Sequence, residues 1–211
     1  MVTNTNFPAP LAVLGFLSAS GLVLLGLVSV VILFFARKPK FAQMAGIAMG
    51  IGGLAYFGLL AGFSLASRDT ALARGQEKYF CEIDCHLAYS IANVKTQEDG
   101  SSKDLVIALR TRFDETTISS TRPKDAPLTP SPREVRLVDQ TGRVFVPVSS
   151  TGTDLMTSLK PGDSYTTVFE FRVPRDASGL RVLLHTTPGW PDRLVIGDEN
   201  SWLHKKTYFA L

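Results

Sequence analysis

Apolar residues along this chain fall into two long unbroken runs, followed by many short alternating ones. Residues 11–36 read LAVLGFLSASGLVLLGLVSVVILFFA, residues 41–67 read FAQMAGIAMGIGGLAYFGLLAGFSLAS, and neither run carries a charge. A bilayer core takes about 20 apolar residues as a helix, so each run predicts a transmembrane span with room for tilt. A cleaved signal peptide fits poorly, because the first run is too long for an apolar signal core and no basic residue precedes it. The second run repeats small residues at Gly46, Gly50, Gly53, Gly58 and Gly62, and the first has Gly15, Ala19 and Gly26. Such positions let helices approach closely. Glycine on more than one face of the second span suits a subunit docked against further helices.

After Ser90 the period changes to two. Residues 104–113 (DLVIALRTRF) place Leu105, Ile107, Leu109 and Phe113 on one face, with Arg110 and Arg112 on the other. Residues 164–173 (SYTTVFEFRV) set Tyr165, Phe169, Phe171 and Val173 against Glu170 and Arg172. Alternation of this kind predicts half-buried strands. Residues 133–139 and 143–148 flank a short hairpin connection in which Gly142 can take a positive φ. Residues 160–163 (KPGD) make another turn. Shorter strands are expected at 180–186, 193–197 and 206–210. The predicted fold class is a two-helix transmembrane hairpin plus an all-β, antiparallel immunoglobulin-like sandwich. The corresponding division is a short tail (1–10), the hairpin (11–67), a juxtamembrane segment (68–90) and the sandwich (91–211).

Charge orients the hairpin. Arg37, Lys38 and Lys40 crowd the loop between the spans, whereas residues 1–10 carry no charged side chain. Cationic loops stay in the cytoplasm, so both termini and the sandwich are expected outside it. From Gly75 onward 17 Lys and Arg face 18 Asp and Glu, a balance of −1, so the domain lacks the basic footprint of a nucleic-acid binder. The partners expected are membrane lipid and other integral membrane subunits. The sequence identifies no small-molecule ligand.

The run LVDQTGRVFVPVSS…LKPGDSYTTVFEFRVPRDASGLRVLL resembles the immunoglobulin-like domain of many bacterial lipoproteins and membrane-anchored proteins. That resemblance covers residues 104–186 and implies the sandwich fold and an address on the periplasmic side of the bacterial inner membrane. It implies no activity, since such sandwiches host many functions.

Both cysteines of the chain lie in KYFCEIDCH, and three chemistries fit them. Outside the cytoplasm the structural expectation is a Cys81–Cys85 disulfide with no cofactor. A copper or zinc site would use Cys81, Cys85 and His86, completed by His185, His204 or Met156. A c-type haem is attached by Cys-x-x-Cys-His; this run has one residue more and resembles a rare variant of that motif, with His86 as proximal ligand and Met156, His185 or His204 distal. The architecture of hairpin plus exported sandwich is similar to subunit II of haem-copper oxidases, whose binuclear copper motif shares the cysteine spacing. Tyr89 stands where that motif needs its histidine, and the motif here precedes the sandwich. The functional expectation is an accessory or interaction subunit, not an enzyme, of a larger membrane complex, with respiratory or photosynthetic electron transfer as its setting. The alternative is an electron carrier built on Cys81, Cys85 and His86. Asp192, Asp198 and Glu199 with His204 read as a solvated loop. Trp190 and Trp202 read as rings that pack or meet the interface, with packing favoured for at least one.

Overall fold

A computed structural model describes residues 1–211 apart from 82–84, 121, 188, 190 and 191 and the side chain of residue 99. The expectation for Trp190 therefore lies outside the described residues. Two helices, α1 (Ala9–Phe35) and α2 (Pro39–Ala66), coincide with the two apolar runs. The turn between them is dictated locally. Arg37 sits in the left-handed region at φ 55°, Lys38 N–H donates to Leu33 O at 2.9 Å, and Arg37 N–H donates to Phe34 O at 3.1 Å. This pairing closes a helix end. Pro39 then opens α2 at a position where its missing N–H is not needed.

The rest of the chain forms two packed sheets. The strands are β1 (Val2–Thr3), β2 (Thr70–Leu72), β3 (Lys78–Phe80), β4 (Leu87–Asp99), β5 (Ser102–Phe113), β6 (Arg133–Val138), β7 (Val144–Phe145), β8 (Ser149–Gly152), β9 (Ser164–Pro174), β10 (Arg181–Thr186) and β11 (Thr207–Ala210). One sheet runs β1-β3-β4-β5-β9-β8 and the other β2-β11-β10-β6-β7. In the first, Leu105 lies opposite Phe171 and Ile107 opposite Phe169. These side chains join Val135, Leu137, Val182, Leu184 and Phe209 of the second sheet in one buried core. Each large apolar side chain so buried is worth roughly 1.5–3 kcal/mol relative to exposure, and this core drives the domain's folding.

The sheets are mixed, which corrects the antiparallel expectation. β1 pairs parallel with β3, and β2 pairs parallel with β11. Both exceptions flank the hairpin: β1 precedes α1, and β2 follows α2. The two ends of the hairpin are therefore each clamped into a different sheet. The tail expected at 1–10 and the segment expected at 68–90 consequently contribute strands to the sandwich. Two strand expectations also change. Residues 193–197 form no strand; a 3-10 turn (Asp192–Leu194) is followed by an isolated bridge between Asp198 and Thr5. The strand expected at 143–148 ends at Phe145, because Pro147 cannot donate to a ladder and Val148 N–H crosses to Glu170 O in the other sheet.

Candidate functional site

The joint between hairpin and sandwich concentrates the buried polar chemistry of the molecule. Asn4 organises it. Its N–H donates to Tyr79 O (3.0 Å), its carbonyl accepts from Glu199 N–H (2.8 Å), its Oδ1 accepts from Cys81 N–H (2.8 Å), and its Nδ2 donates to Asp198 Oδ2 (3.3 Å). Through backbone and side chain together, this one buried residue ties β3, the cysteine turn and the 198–199 segment to the strand that leads into α1. Asn6 repeats the device one step on, donating from its N–H to Gly197 O (2.9 Å) and from Nδ2 to Phe63 O of α2 (2.8 Å). Gly197 is required there. Its φ is 74°, and a Cβ would come within 2.5 Å of the Phe7 side chain.

Beneath Asn4 lies a fully buried lysine. Lys78 Nζ meets Glu199 Oε2 at 2.6 Å and donates to the carbonyls of Leu184 (2.9 Å) and Thr207 (3.1 Å). All three ammonium protons therefore have partners. Glu199 Oε1 accepts Thr207 N–H at 2.7 Å, and Lys206 Nζ donates to the Glu199 carbonyl. Burial pushes Lys78 below the ordinary lysine range, while Glu199 pulls the other way. Burial raises Asp198 to about 7, against the opposing hydrogen bond from Asn200 N–H. The segment expected to be solvated is thus the buried half of the joint. No spacing in DENSWLHKK announces this, because the partner Lys78 lies more than a hundred residues away in sequence.

On the neighbouring flank, Cys81 and Cys85 are joined in a disulfide that closes the β3–β4 connection. Ala9, the first residue of α1, packs with Tyr79, Cys81 and Ala88, and Cys85 lies against the same cluster. Close by, Arg112 makes a two-pronged pair with Glu77 (2.8 and 2.6 Å) and reaches Asp114 at 3.2 Å, while Tyr79 OH donates to Asp114 at 2.5 Å. Burial alone would raise Asp114, but hydrogen bonds from Tyr79, Thr116 and Arg112 outweigh it and hold the carboxyl well below the usual range. Sequence reading missed this cluster. Its only signal was Arg112 on the polar face of β5.

The remaining candidate ligands are dispersed. His86 is buried beside Phe113, with ring centres 5.4 Å apart, and its Nδ1 lies 2.7 Å from Thr117 Oγ1. Since that hydroxyl donates to Asp114 O, it accepts from His86 Nδ1–H. His185 on β10 donates from Nδ1 to Thr186 O at 2.7 Å, and its Nε2 stands 3.6 Å from Glu134. His204 donates likewise to Lys205 O at 2.6 Å. Burial lowers the pKa of both. Met156 is exposed on a turn after β8. Among the described residues no group of three or more His, Cys, Asp or Glu could hold a metal. The two sulfurs are bonded to each other in this structure.

The helix glycines face outward. A Cβ placed at Gly46, Gly50, Gly53, Gly58 or Gly62 would meet nothing within 4 Å, whereas one at Gly26 would collide with Met49 of α2. The close contact within the hairpin is therefore Gly26 on Met49, and the glycines of α2 are open to whatever surrounds the helix.

No family model matches the chain, and none of the curated proteins matches its sequence. Two solved structures have a similar shape. MPT63, a secreted protein from Mycobacterium tuberculosis, aligns over 70% of this chain and 100% of its own, with a TM-score of 0.44 and 9% identity. An uncharacterized β-sandwich protein from Clostridium difficile aligns over 69% of this chain and 95% of its own, with a TM-score of 0.36 and 11% identity.

Proposed function

We propose that the protein is a membrane-anchored accessory subunit, with an exported sandwich held in fixed orientation on a two-span hairpin that docks against other membrane helices. The observation that carries this reading is the double clamp. β1 enters one sheet before α1, and β2 enters the other after α2. A tether needs only one attachment and a loose linker. Two attachments, together with Asn6 on Phe63 and Tyr56 on Leu194, favour a rigid body whose hairpin and sandwich present one surface. Outward-facing glycines on α2 and the broad apolar exterior of both helices support docking within the bilayer. With β1 and β2 both in the sandwich, spanning helices put both their outer ends on the sandwich side. The cationic turn at Arg37, Lys38 and Lys40 then faces the cytoplasm.

The electron-carrier alternative needs Cys81 and Cys85 as thiolates on a metal or as thioether links to a haem, and the disulfide between them favours the accessory reading. Two measurements test the proposal. Ser150→Cys should react with an impermeant thiol reagent on intact cells while Lys38→Cys stays protected; the reverse pattern overturns the orientation. In native membranes, a cross-linker on Gly50→Cys should join the chain to another integral membrane protein, and Gly50→Leu with Gly58→Leu should release that partner in mild detergent. A chain recovered alone, and unaltered by those leucines, overturns the accessory role.

A further inference from the structure

The sandwich itself carries a surface placed to enter the bilayer, and it lies in the loop next to the joint. α2 has 28 residues, so it is about 42 Å long and exceeds a hydrocarbon core of about 30 Å. Counted outward from Pro39 at the cationic turn, that core is used up after about 20 residues, between Tyr56 and Leu60. One face of α2 becomes covered beyond this level: Leu60 and Ser64 are buried, while Leu59 and Leu65 on other faces stay exposed.

Two hydrogen bonds fix where the sandwich meets this boundary. Tyr56 OH donates to Leu194 O at 2.6 Å, and Lys205 N–H donates to Ser67 Oγ at 2.8 Å. The segment between them must therefore lie alongside the outer third of α2. Trp202 is held to it by its N–H on Arg193 O (3.3 Å), and the turn is closed by His204 N–H on Ser201 O (3.1 Å). At the tip of this turn Trp202 is 70% exposed and Leu203 is 64% exposed.

Leu203 also has a φ of 65°, a left-handed conformation that glycine or asparagine takes more readily than leucine. A large apolar side chain at an exposed, strained turn position gains nothing from water. Arg68 and Lys205, both exposed, line a cavity of about 440 Å³ that reaches the tip at His204, the residue after Leu203. An indole and a leucine beside cations, at the depth where a spanning helix leaves the hydrocarbon, match the chemistry of the head-group boundary.

We infer that Trp202 and Leu203 insert into the head-group region of the outer leaflet and fix the tilt of the sandwich on the membrane, with Arg68 and Lys205 facing lipid phosphates. This rests on the membrane-anchored reading above. The occupant of the tip is lipid, because Trp202 is bonded to Arg193, next to the Leu194 carbonyl that Tyr56 holds at the level where α2 outruns the hydrocarbon.

The test uses the full chain reconstituted into phospholipid vesicles, with the fluorescence of residue 202 taken as the difference between native protein and Trp202→Phe. Lipids brominated near the head group should quench that difference strongly, lipids brominated near the chain ends should quench it less, and aqueous acrylamide should quench it little. Flotation of the protein with the vesicles reads hairpin insertion separately. If the protein floats but only acrylamide quenches residue 202, the tip stays in water or seats on a protein partner, and the inference falls while the anchored reading stands. Failure to float overturns both. As a second readout, Leu203→Cys carrying a polarity-sensitive dye should shift to the blue on reconstitution; the native cysteines are bonded to each other, so only the new thiol reacts. An unshifted spectrum in floating protein also overturns the inference.

Discussion

The hairpin and the sandwich handle the same kind of residue in opposite ways. Leu54 of α2 is 77% exposed and Phe171 of β9 is 1% exposed. In the sandwich the rule is the familiar one for water, with apolar faces turned inward and Arg and Glu outward. In the hairpin large side chains such as Leu22, Leu54 and Phe57 point out, and Gly26 leaves room for Met49 where the helices meet. A helix whose exterior is apolar all round is built for lipid or for neighbouring helices. The boundary between the two regions is the joint, where Lys78 and Glu199 are buried as a pair.

Lys78 is where that boundary can be broken with most effect. Lys78→Ala leaves Glu199 buried without its cation, and removal of one partner from a buried pair costs about 3–5 kcal/mol. Urea unfolding of the full chain in detergent micelles, followed by near-ultraviolet circular dichroism, reads this. The double change Lys78→Met with Glu199→Met should cost clearly less than the single one, because no lone charge remains. If the double variant is as damaged as the single, the pair is not what holds the base of the sandwich.

Truncations on the two sides come next. Phe171→Ala should lower sandwich stability by about 3–5 kcal/mol through lost burial and a cavity. Leu54→Ala, also a large truncation, should leave the same unfolding transition unmoved, since Leu54 touches the detergent or the bilayer. A shift from Leu54→Ala as large as that from Phe171→Ala would mean that the hairpin is packed as core.

Asp198 sharpens the picture by pH. Its pKa rises from 3.8 to about 7 on folding, so between these values the folded chain binds more protons than the unfolded one. Stability from this group is complete below 3.8 and is lost as pH rises toward 7, a decline of up to about 4 kcal/mol. His185 and His204 tilt the curve the other way. Burial lowers their pKa, so their contribution is present above the ordinary histidine value and lost as pH falls below it. The clean measurement is therefore the difference between native protein and Asp198→Asn, followed by denaturation at several pH values. The decline should be absent from the asparagine variant, and an identical slope in both would remove Asp198 from the account.

The long helices and the two clearest strands were legible because one local rule governs each. Hydropathy alone suffices for α1 and α2, and alternation alone for β5 and β9. β4 was hidden by its own irregularity. Leu87, Tyr89 and Ile91 face the core, then a bulge between Ile91 and Asn93 shifts the parity so that Val94 packs inward instead. A period of two broken midway reads as no period. β1 and β2 span two or three residues and pair with strands far along the chain, so no window of sequence contains their cause, and β3 is three residues long beside the irregular β4. The expected strand at 193–197 failed for the opposite reason. Its apolar Ile196 is buried, but the chain beside it packs Gly197 against Asn6 and Phe7 and does not pair in a sheet. For the joint, residue types were visible and partners were not. Asp198 and Glu199 read as solvent-facing because their partners are remote in sequence: Asn4 precedes the hairpin, and Lys78 lies more than a hundred residues upstream.

The smallest expected effect falls on the joint itself. Tyr56→Phe keeps the ring and removes only the hydroxyl that donates to Leu194 O. A hydrogen bond of this kind is worth about 1 kcal/mol net, too little to unfold the sandwich. Its loss should instead loosen the 192–194 turn where it leans on α2. The Val195 amide, bonded to Asp192 O at 3.2 Å, reports on that turn. Its hydrogen exchange should quicken by about fivefold, the factor that corresponds to 1 kcal/mol, while amides of β5 and β9 keep their protection. Uniform acceleration across the sandwich would show that Tyr56 supports the whole domain. Unchanged exchange at Val195 would show that the clamp strands β1 and β2 hold the two regions together without it.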